Sequence, residues 1–183
     1  MSEEMLVCHC SPTLAGLKMG SLFSCPYSSQ KMIIKEIREF NQKLTQKGIR
    51  IIPVRISDKR MLVYVYRPEK LKEDFSDEKT QIILKCKGYD CTNLSQCICR
   101  LIQKLQSDPD FPHEIGLFLG YPAEDVKGFI ENKAACSKCS GCWKVYGDEQ
   151  AARILFKKYK KCTEIYCRRW KSGVAVEQLT ITI

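Results

Sequence analysis

The sequence is short of histidine, with two among 183 residues, and no apolar run approaches the ~20 residues a bilayer span requires. The second absence excludes a membrane-spanning helix. A secretory leader is not expected either. The opening MSEEMLVCHC carries acids where a leader needs basic residues, and it has no leader-type apolar stretch. A cytoplasmic protein is the expectation. Repeats and low-complexity linkers are absent, so a single domain over residues 1–183 is expected. Helix-turn-helix, zinc-finger and RNA-recognition signatures are missing as well.

Cysteine, by contrast, is abundant, with twelve copies. In a reducing compartment these are core residues, metal ligands or nucleophiles, not a disulfide framework. The composition is otherwise globular, at 44% hydrophobic and 28% charged residues. The net charge of +9 is concentrated, because Lys133–Lys171 holds eleven Lys/Arg against three Asp/Glu. A local basic segment favours an acidic partner: nucleic acid, an anionic surface or an acidic protein.

Periodicity places most elements. Ser28–Gly48 reads as a helix with Ile33, Ile37, Phe40 and Leu44 on one stripe, and Gly48 ends it. IRIIPVRIS and RMLVYVYR alternate and form a hairpin through SDKR, with Pro53 marking an edge. Helices follow over Lys70–Lys87 and Thr92–Gln106, and SDPDFP is a loop. HEIGLFLGY reads as a buried strand or a short helix, with strand preferred. Pro122 opens a helix through Asn132, with Glu124 and Asp125 in its first turn. CWKVYG is a strand, Glu149–Lys171 a helix and VAVEQLTITI a closing strand. On the last helix Ala151, Leu155, Tyr159, Cys162, Tyr166 and Trp170 share a face. Cys86, Cys97 and Cys162 fall on apolar stripes and are expected in the core. The sum is α+β, a mixed or antiparallel sheet flanked by helices.

Three constellations carry candidate chemistry. In HCSPT, Ser11 suits an N-cap and Pro12 the first helical position, so TLAGLKMGSLF continues as a helix and Cys10 sits at its mouth. A helix N-terminus lowers a thiol pKa, and a nucleophilic thiol needs a base. His9 adjoins Cys10 in sequence and points elsewhere in extended chain, which leaves His113. In CSKCSGC, Cys136, Cys139 and Cys142 have a spacing that lets thiolates share zinc or an iron–sulfur cluster. A fourth ligand would come from Cys8, Cys10, Cys162 or Cys167. CTNLSQCIC, with Cys91, Cys97 and Cys99, lacks ligand spacing. In RILFKKYKKCTEIYCRRWK, Lys157, Lys158, Lys160, Lys161, Arg168, Arg169 and Lys171 surround Tyr and Trp, a face for phosphate backbones or an ordinary solvated helix face.

CSPTLAG resembles the opening of papain-like bacteriocin-processing cysteine peptidases. The resemblance implies a papain-like fold, with Cys10 attacking an acyl carbon, His113 from HEIGLFLGY holding the proton and Asp148 from WKVYGD orienting the imidazole. Two departures stand out. Ser11 replaces a glycine, and Glu4 and Met5 stand where that group has a glutamine for the oxyanion hole. In the plainer reading Ser11 and Pro12 start a helix, Asp148 caps one and His113 bonds a carbonyl. Over nearly the whole chain, HCSPTLAGLKMGSLF, FPHEIGLFLGYPAEDVKGFIEN and WKVYGD resemble an uncharacterised bacterial family, the domain of unknown function DUF 3793. That resemblance implies no activity, only that the three phrases belong to one domain. Three functions remain open: a thiol hydrolase or acyltransferase, a non-catalytic cysteine-rich module for a metal or partner, and a basic nucleic-acid binder.

Overall fold

Most of the SEEMLVCHC segment is helical in the computed structural model, which describes residues 1–107 and 111–183. The centre of the expected SDPDFP loop lies outside the described residues. The first helix, α1, spans Glu3–Leu14, and the Ser2 hydroxyl caps it by accepting from the Met5 N–H at 3.3 Å. Glu3 and Glu4 occupy its first turn, where the dipole favours anions. This corrects the expected start at Ser11. The acidic segment supplies an earlier cap, so Ser11 lies inside the helix and its hydroxyl donates to the Val7 carbonyl one turn back. Pro12 falls in the last turn, where it has no N–H to donate to the Cys8 carbonyl one turn back. Gly16, at φ +67°, then turns the chain out of the helix, so LKMGSLF does not continue it.

The chain divides into two compact units, each described by itself. One comprises Met1–Glu69 with Tyr159–Ile183, the other Lys70–Lys158.

In the first unit, β1 (Gly20–Pro26), β2 (Arg50–Ile56) and β3 (Arg60–Tyr66) form an antiparallel sheet in the order β1-β3-β2. The expected hairpin is β2–β3, and Pro53 lies on an edge strand beside a register shift between Pro53 and Arg55. Strand β1 takes the end of TLAGLKMGSLF, which was expected to continue as a helix although Gly16 and Gly20 weaken one. Phe23 faces Val63 and Cys25 faces Met61 across β1–β3, so one face is apolar at every second position. Leu6, Val7, Cys10 and Leu14 of α1 share a buried cluster with that face and with Ile33, Ile37 and Leu44 of α2 (Gln30–Leu44). A 3-10 turn over Thr45–Lys47 follows α2, and Gly48, at φ +75°, closes it. Asn41 of α2 holds β2 through both amide atoms. Its Nδ2 donates to the Ile51 carbonyl at 2.7 Å, and its Oδ1 accepts from the Ile51 N–H at 2.9 Å. The expected closing strand is instead a short helix, α9 (Val176–Leu179), whose Val176 and Leu179 join the core.

Arg67, just after β3, is 2% exposed. Its Nε donates to the Thr13 carbonyl at 2.7 Å and one terminal nitrogen to Lys47 at 3.0 Å. The other terminal nitrogen reaches Leu14 at 2.7 Å and Ile181 at 2.9 Å. One guanidinium therefore ties together the end of α1, the turn after α2 and the C-terminal tail. Burial lowers its pKa from the usual arginine value.

The second unit is mainly helical: most of α3 (Pro68–Asp74), then α4 (Glu78–Cys86), α5 (Leu94–Ser107), α6 (Ile115–Phe118), α7 (Ala123–Asn132) and the start of α8 (Glu149–Lys171). A two-residue hairpin, β4 (Cys139–Ser140) with β5 (Lys144–Val145), stands where CWKVYG was expected as a strand. Of the two readings of HEIGLFLGY, the short helix is the one formed, as α6 at its centre, and the preferred strand is not. The run is buried all round, and such a run shows no periodicity that separates helix from strand. Its Glu114 is 4% exposed and paired with Lys104 Nζ at 2.6 Å. Lys104 also donates to the Lys87 carbonyl at 2.7 Å, and the Tyr89 hydroxyl donates to Glu114 at 3.2 Å. Burial first, and then the Glu114 charge, raise the Tyr89 pKa. Cys97 is buried as expected, but Cys86 is exposed, because α4 buries Thr80 and Leu84 on a different face. On α8 the buried alanine is Ala152, one residue beyond Ala151. The whole is α+β, a small antiparallel sheet with flanking helices. Among the described residues no helix is long and apolar enough to cross a membrane.

Candidate functional site

Two of the sequence phrases, FPHEIGLFLGYPAEDVKGFIEN and WKVYGD, meet through a single carboxylate. Asp125, in the first turn of α7, is 3% exposed. Its Oδ2 accepts from the Trp143 indole N–H at 2.7 Å, and its Oδ1 accepts from the Tyr146 and Gly147 N–H groups at 2.7 Å each. A buried carboxylate with three donors satisfies most of its lone pairs and fixes the segment that supplies them. The sequence marked Asp125 only as a first-turn acid. Its second role needed knowledge of where Trp143 goes.

Fixing Trp143 builds a wall. Its ring stacks on Tyr121 with centroids 4.7 Å apart and planes 25° from parallel, and Phe156 of α8 meets it edge-on at 4.6 Å. In front of this wall is a cavity of about 290 Å³, near the lower end of ligand-pocket sizes. Ile115, Val126 and Phe129 furnish apolar surface, Phe111 and Ser140 line it further, and His113 and Lys144 supply polar atoms. His113 is exposed and lies edge-on to Phe129 with centroids 5.0 Å apart. Lys144 Nζ donates to the Ala134 carbonyl at 2.6 Å, which uses one of its three donors.

Two glycines make the packing possible. A Cβ on Gly116 would come within 2.7 Å of Val126 Cγ2, and one on Gly128 would collide with the Tyr146 ring. Helix α7 therefore approaches both α6 and the segment after β5 at backbone distance. The pocket is pre-formed by close packing and by Asp125.

The expected catalytic residues are divided between the two units. Cys10 belongs to the first unit, and His113 and Asp148 to the second. Cys10 lies near the C-terminal end of α1, the negative end of the dipole, not at a helix mouth. It is fully buried, and burial pushes its thiol well up, against smaller opposing contributions from Lys18 and Ser21. A reactive thiol needs the reverse shift. Asp148 is exposed and accepts from the Ala151 N–H at 2.9 Å, which is an N-cap of α8. His9 stacks on Phe23 at 5.1 Å.

The CSKCSGC spacing does not assemble a metal site, and among the described residues no group of three His, Cys, Asp or Glu could hold an ion. The local backbone explains this. Cys136 sits in a left-handed turn at φ +57°, Cys139 pairs with Val145 in β4, and Cys142 is in the tight turn closed by Gly141 N–H on the Trp143 carbonyl at 3.0 Å. The spacing is taken up by turning a hairpin. Of the remaining ligand candidates, Cys162 is buried, Cys167 half-buried and Cys8 exposed. The basic residues of α8 are all exposed, while Tyr159 is buried and Tyr166 and Trp170 are half-buried against the first unit's core. The aromatics thus serve packing, and the outer face offers charge without a row of stacking rings.

No curated protein and no solved structure matches the chain, and nothing in the comparisons supports the papain-like resemblance. One family model does match, over residues 6–180, so nearly the whole chain, including both units, belongs to the family described as a protein of unknown function, DUF3793.

Proposed function

We propose that the protein is a non-catalytic binding module, and that its site is the aromatic pocket of the second unit. This is the cysteine-rich-module reading with a different occupant: a small planar organic molecule in place of a metal. The observation that carries it is the Trp143–Tyr121 stack, locked by Asp125 and open to a cavity of about 290 Å³. Such a wall receives a flat ring by offset stacking or edge contact. The cavity is sized for one or two fused rings. His113 and the remaining Lys144 donors suit a carboxylate or other acceptor on that ring. The sealed, elevated thiol of Cys10 supports a core role for that residue over a catalytic one.

The chain has two tryptophans, and only Trp143 lines the pocket. Titration with 2-naphthoate, a bicyclic carboxylate, should shift the Trp143 indole N–H resonance in a ¹H–¹⁵N spectrum and leave Trp170 unmoved. His113→Ala should weaken naphthoate binding more than binding of the neutral 2-naphthol. If neither probe moves the Trp143 signal into the low millimolar range, the reading is wrong.

A further inference from the structure

The first unit contains a pair of thiols that neither the family nor the pocket accounts for. Cys8 lies on α1 and Cys167 on α8, 159 residues apart in sequence, with their sulfur atoms 3.7 Å apart. We propose that Cys8 and Cys167 form a reversible disulfide by exchange with a small-molecule disulfide of the glutathione class.

Geometry is the first support. A disulfide bond is about 2.05 Å long, so small side-chain rotations would close the gap. Both residues sit on helices that share one core, where Leu6, Val7 and Cys10 of α1 are buried and Tyr166, Cys167 and Trp170 of α8 pack against them. The cross-link therefore requires no rearrangement of the elements that carry it. Exposure is the second support. Cys8 is open to solvent and Cys167 is half-buried, whereas Cys10, Cys25 and Cys162 of the same unit are buried. A small disulfide can reach Cys8 and not those three. Burial, followed by the hydrogen bond and charge of Cys8, raises the Cys167 thiol above its usual value. Cys167 is thus the poorer first nucleophile and the natural resolving partner.

The exchange balances in two steps. The Cys8 thiolate attacks one sulfur of the small disulfide. A Cys8–S bond forms, the small disulfide's S–S bond breaks, and one small thiolate leaves with the electron pair. The Cys167 thiolate then attacks Cys8 Sγ, and the second small thiolate leaves. The protein pair is oxidised by two electrons and the small disulfide is reduced to two thiols, which take up the two cysteine protons. The second step is intramolecular and favoured by proximity.

The full chain, incubated natively in buffers of varied reduced-to-oxidised glutathione ratio, is quenched in acid, alkylated and digested with trypsin for mass spectrometry. Cys8 shares a tryptic peptide with Cys10, and Cys167 shares one with Cys162, so fragmentation within the linked peptides is needed to assign the bond. The expected first linkage is Cys8–Cys167. In Cys167→Ser a glutathione adduct on Cys8 should persist at least about tenfold longer than in the wild type, because its resolving thiol is gone. Cys167→Ala serves if the serine variant is unfolded by circular dichroism. An adduct on wild-type Cys8 as long-lived as in the variant, or another cysteine pair linking first, would overturn the proposal. Binding of naphthoate at the other unit's pocket does not bear on this result.

Discussion

The two units solve the same problem with opposite charges. In the first, a buried cation, Arg67, gathers four backbone carbonyls and thereby joins segments distant in sequence. In the second, a buried anion, Asp125, gathers two backbone N–H groups and an indole N–H. Arg67 accompanies a sheet whose apolar face is filled by helices. Asp125 accompanies short helices and a two-residue hairpin, and its effect is to hold an aromatic wall beside open space. The difference bears on where the proposed pocket forms. A sheet and the helices on it pack by interdigitation, whereas short elements need polar ties and leave room between them. Each unit also has its own tryptophan reporter, Trp170 in the first and Trp143 in the second.

Removing the cation should have the largest effect. Arg67→Met leaves the carbonyls of Thr13, Leu14, Lys47 and Ile181 without these donors and should cost about 3–5 kcal/mol in urea unfolding. The Trp170 indole signal should broaden or move. Arg67→Lys should be nearly as damaging, since an ammonium cannot span the same fork of carbonyls.

The corresponding change in the second unit should be milder. Asp125→Asn keeps the shape but offers one acceptor oxygen and places an NH₂ against a donor. A loss of about 2–3 kcal/mol is expected, with the Trp143 indole resonance displaced and naphthoate binding weakened. A Trp143 signal unchanged in Asp125→Asn would break the assignment of Asp125 as the pocket's anchor.

A third effect is an alkaline one, and it acts on the cores rather than on either buried ion. Burial pushes Cys97 and Cys162 up to about 11 from an ordinary 9.0, and Cys10 further still. A thiol whose folded pKa is raised contributes stability that is full below the unfolded pKa and lost as pH rises through the folded one. Unfolding free energy should therefore decline between pH 9 and about 11. In the same range Cys8 should react with iodoacetamide in the folded protein and Cys10 only on unfolding. Fast native alkylation of Cys10 would return it to the list of nucleophiles and blur the contrast between a closed first unit and an open second one.

Much of the fold was legible in the sequence. The apolar stripe of α2, the alternation of β2 and β3, the Pro122 start of α7 and the full extent of α8 could be read because each presents one buried face at a regular period. Several segments, β1 among them, could not. In α1 a proline and a serine near the end imitate a start. In α6 burial on every side erases the period. The tail after Gly173 has the β-branched residues of a strand but no strand partner among the described residues, and it folds around α9 instead. The pocket was half legible. His113 was singled out, though as a base for a thiol in the other unit. Tyr121 and Trp143 were not, because stacking between residues twenty-two positions apart leaves no periodic trace. Arg67 left no trace either, since a lone arginine at a strand end reads as solvated until its carbonyl partners are known.

Asn41 has a consequence beyond holding α2 to the sheet. Both main-chain groups of Ile51 that it engages point away from β3, along the open side of β2. Those are the groups a strand from another molecule would pair with. The side-chain amide imitates a neighbouring peptide and occupies them, and the nearby Pro53 has no N–H to offer. A three-stranded sheet that could recruit a fourth strand from any passing chain is thereby finished at that border, and the fold's defence against growing into a filament rests in part on one asparagine.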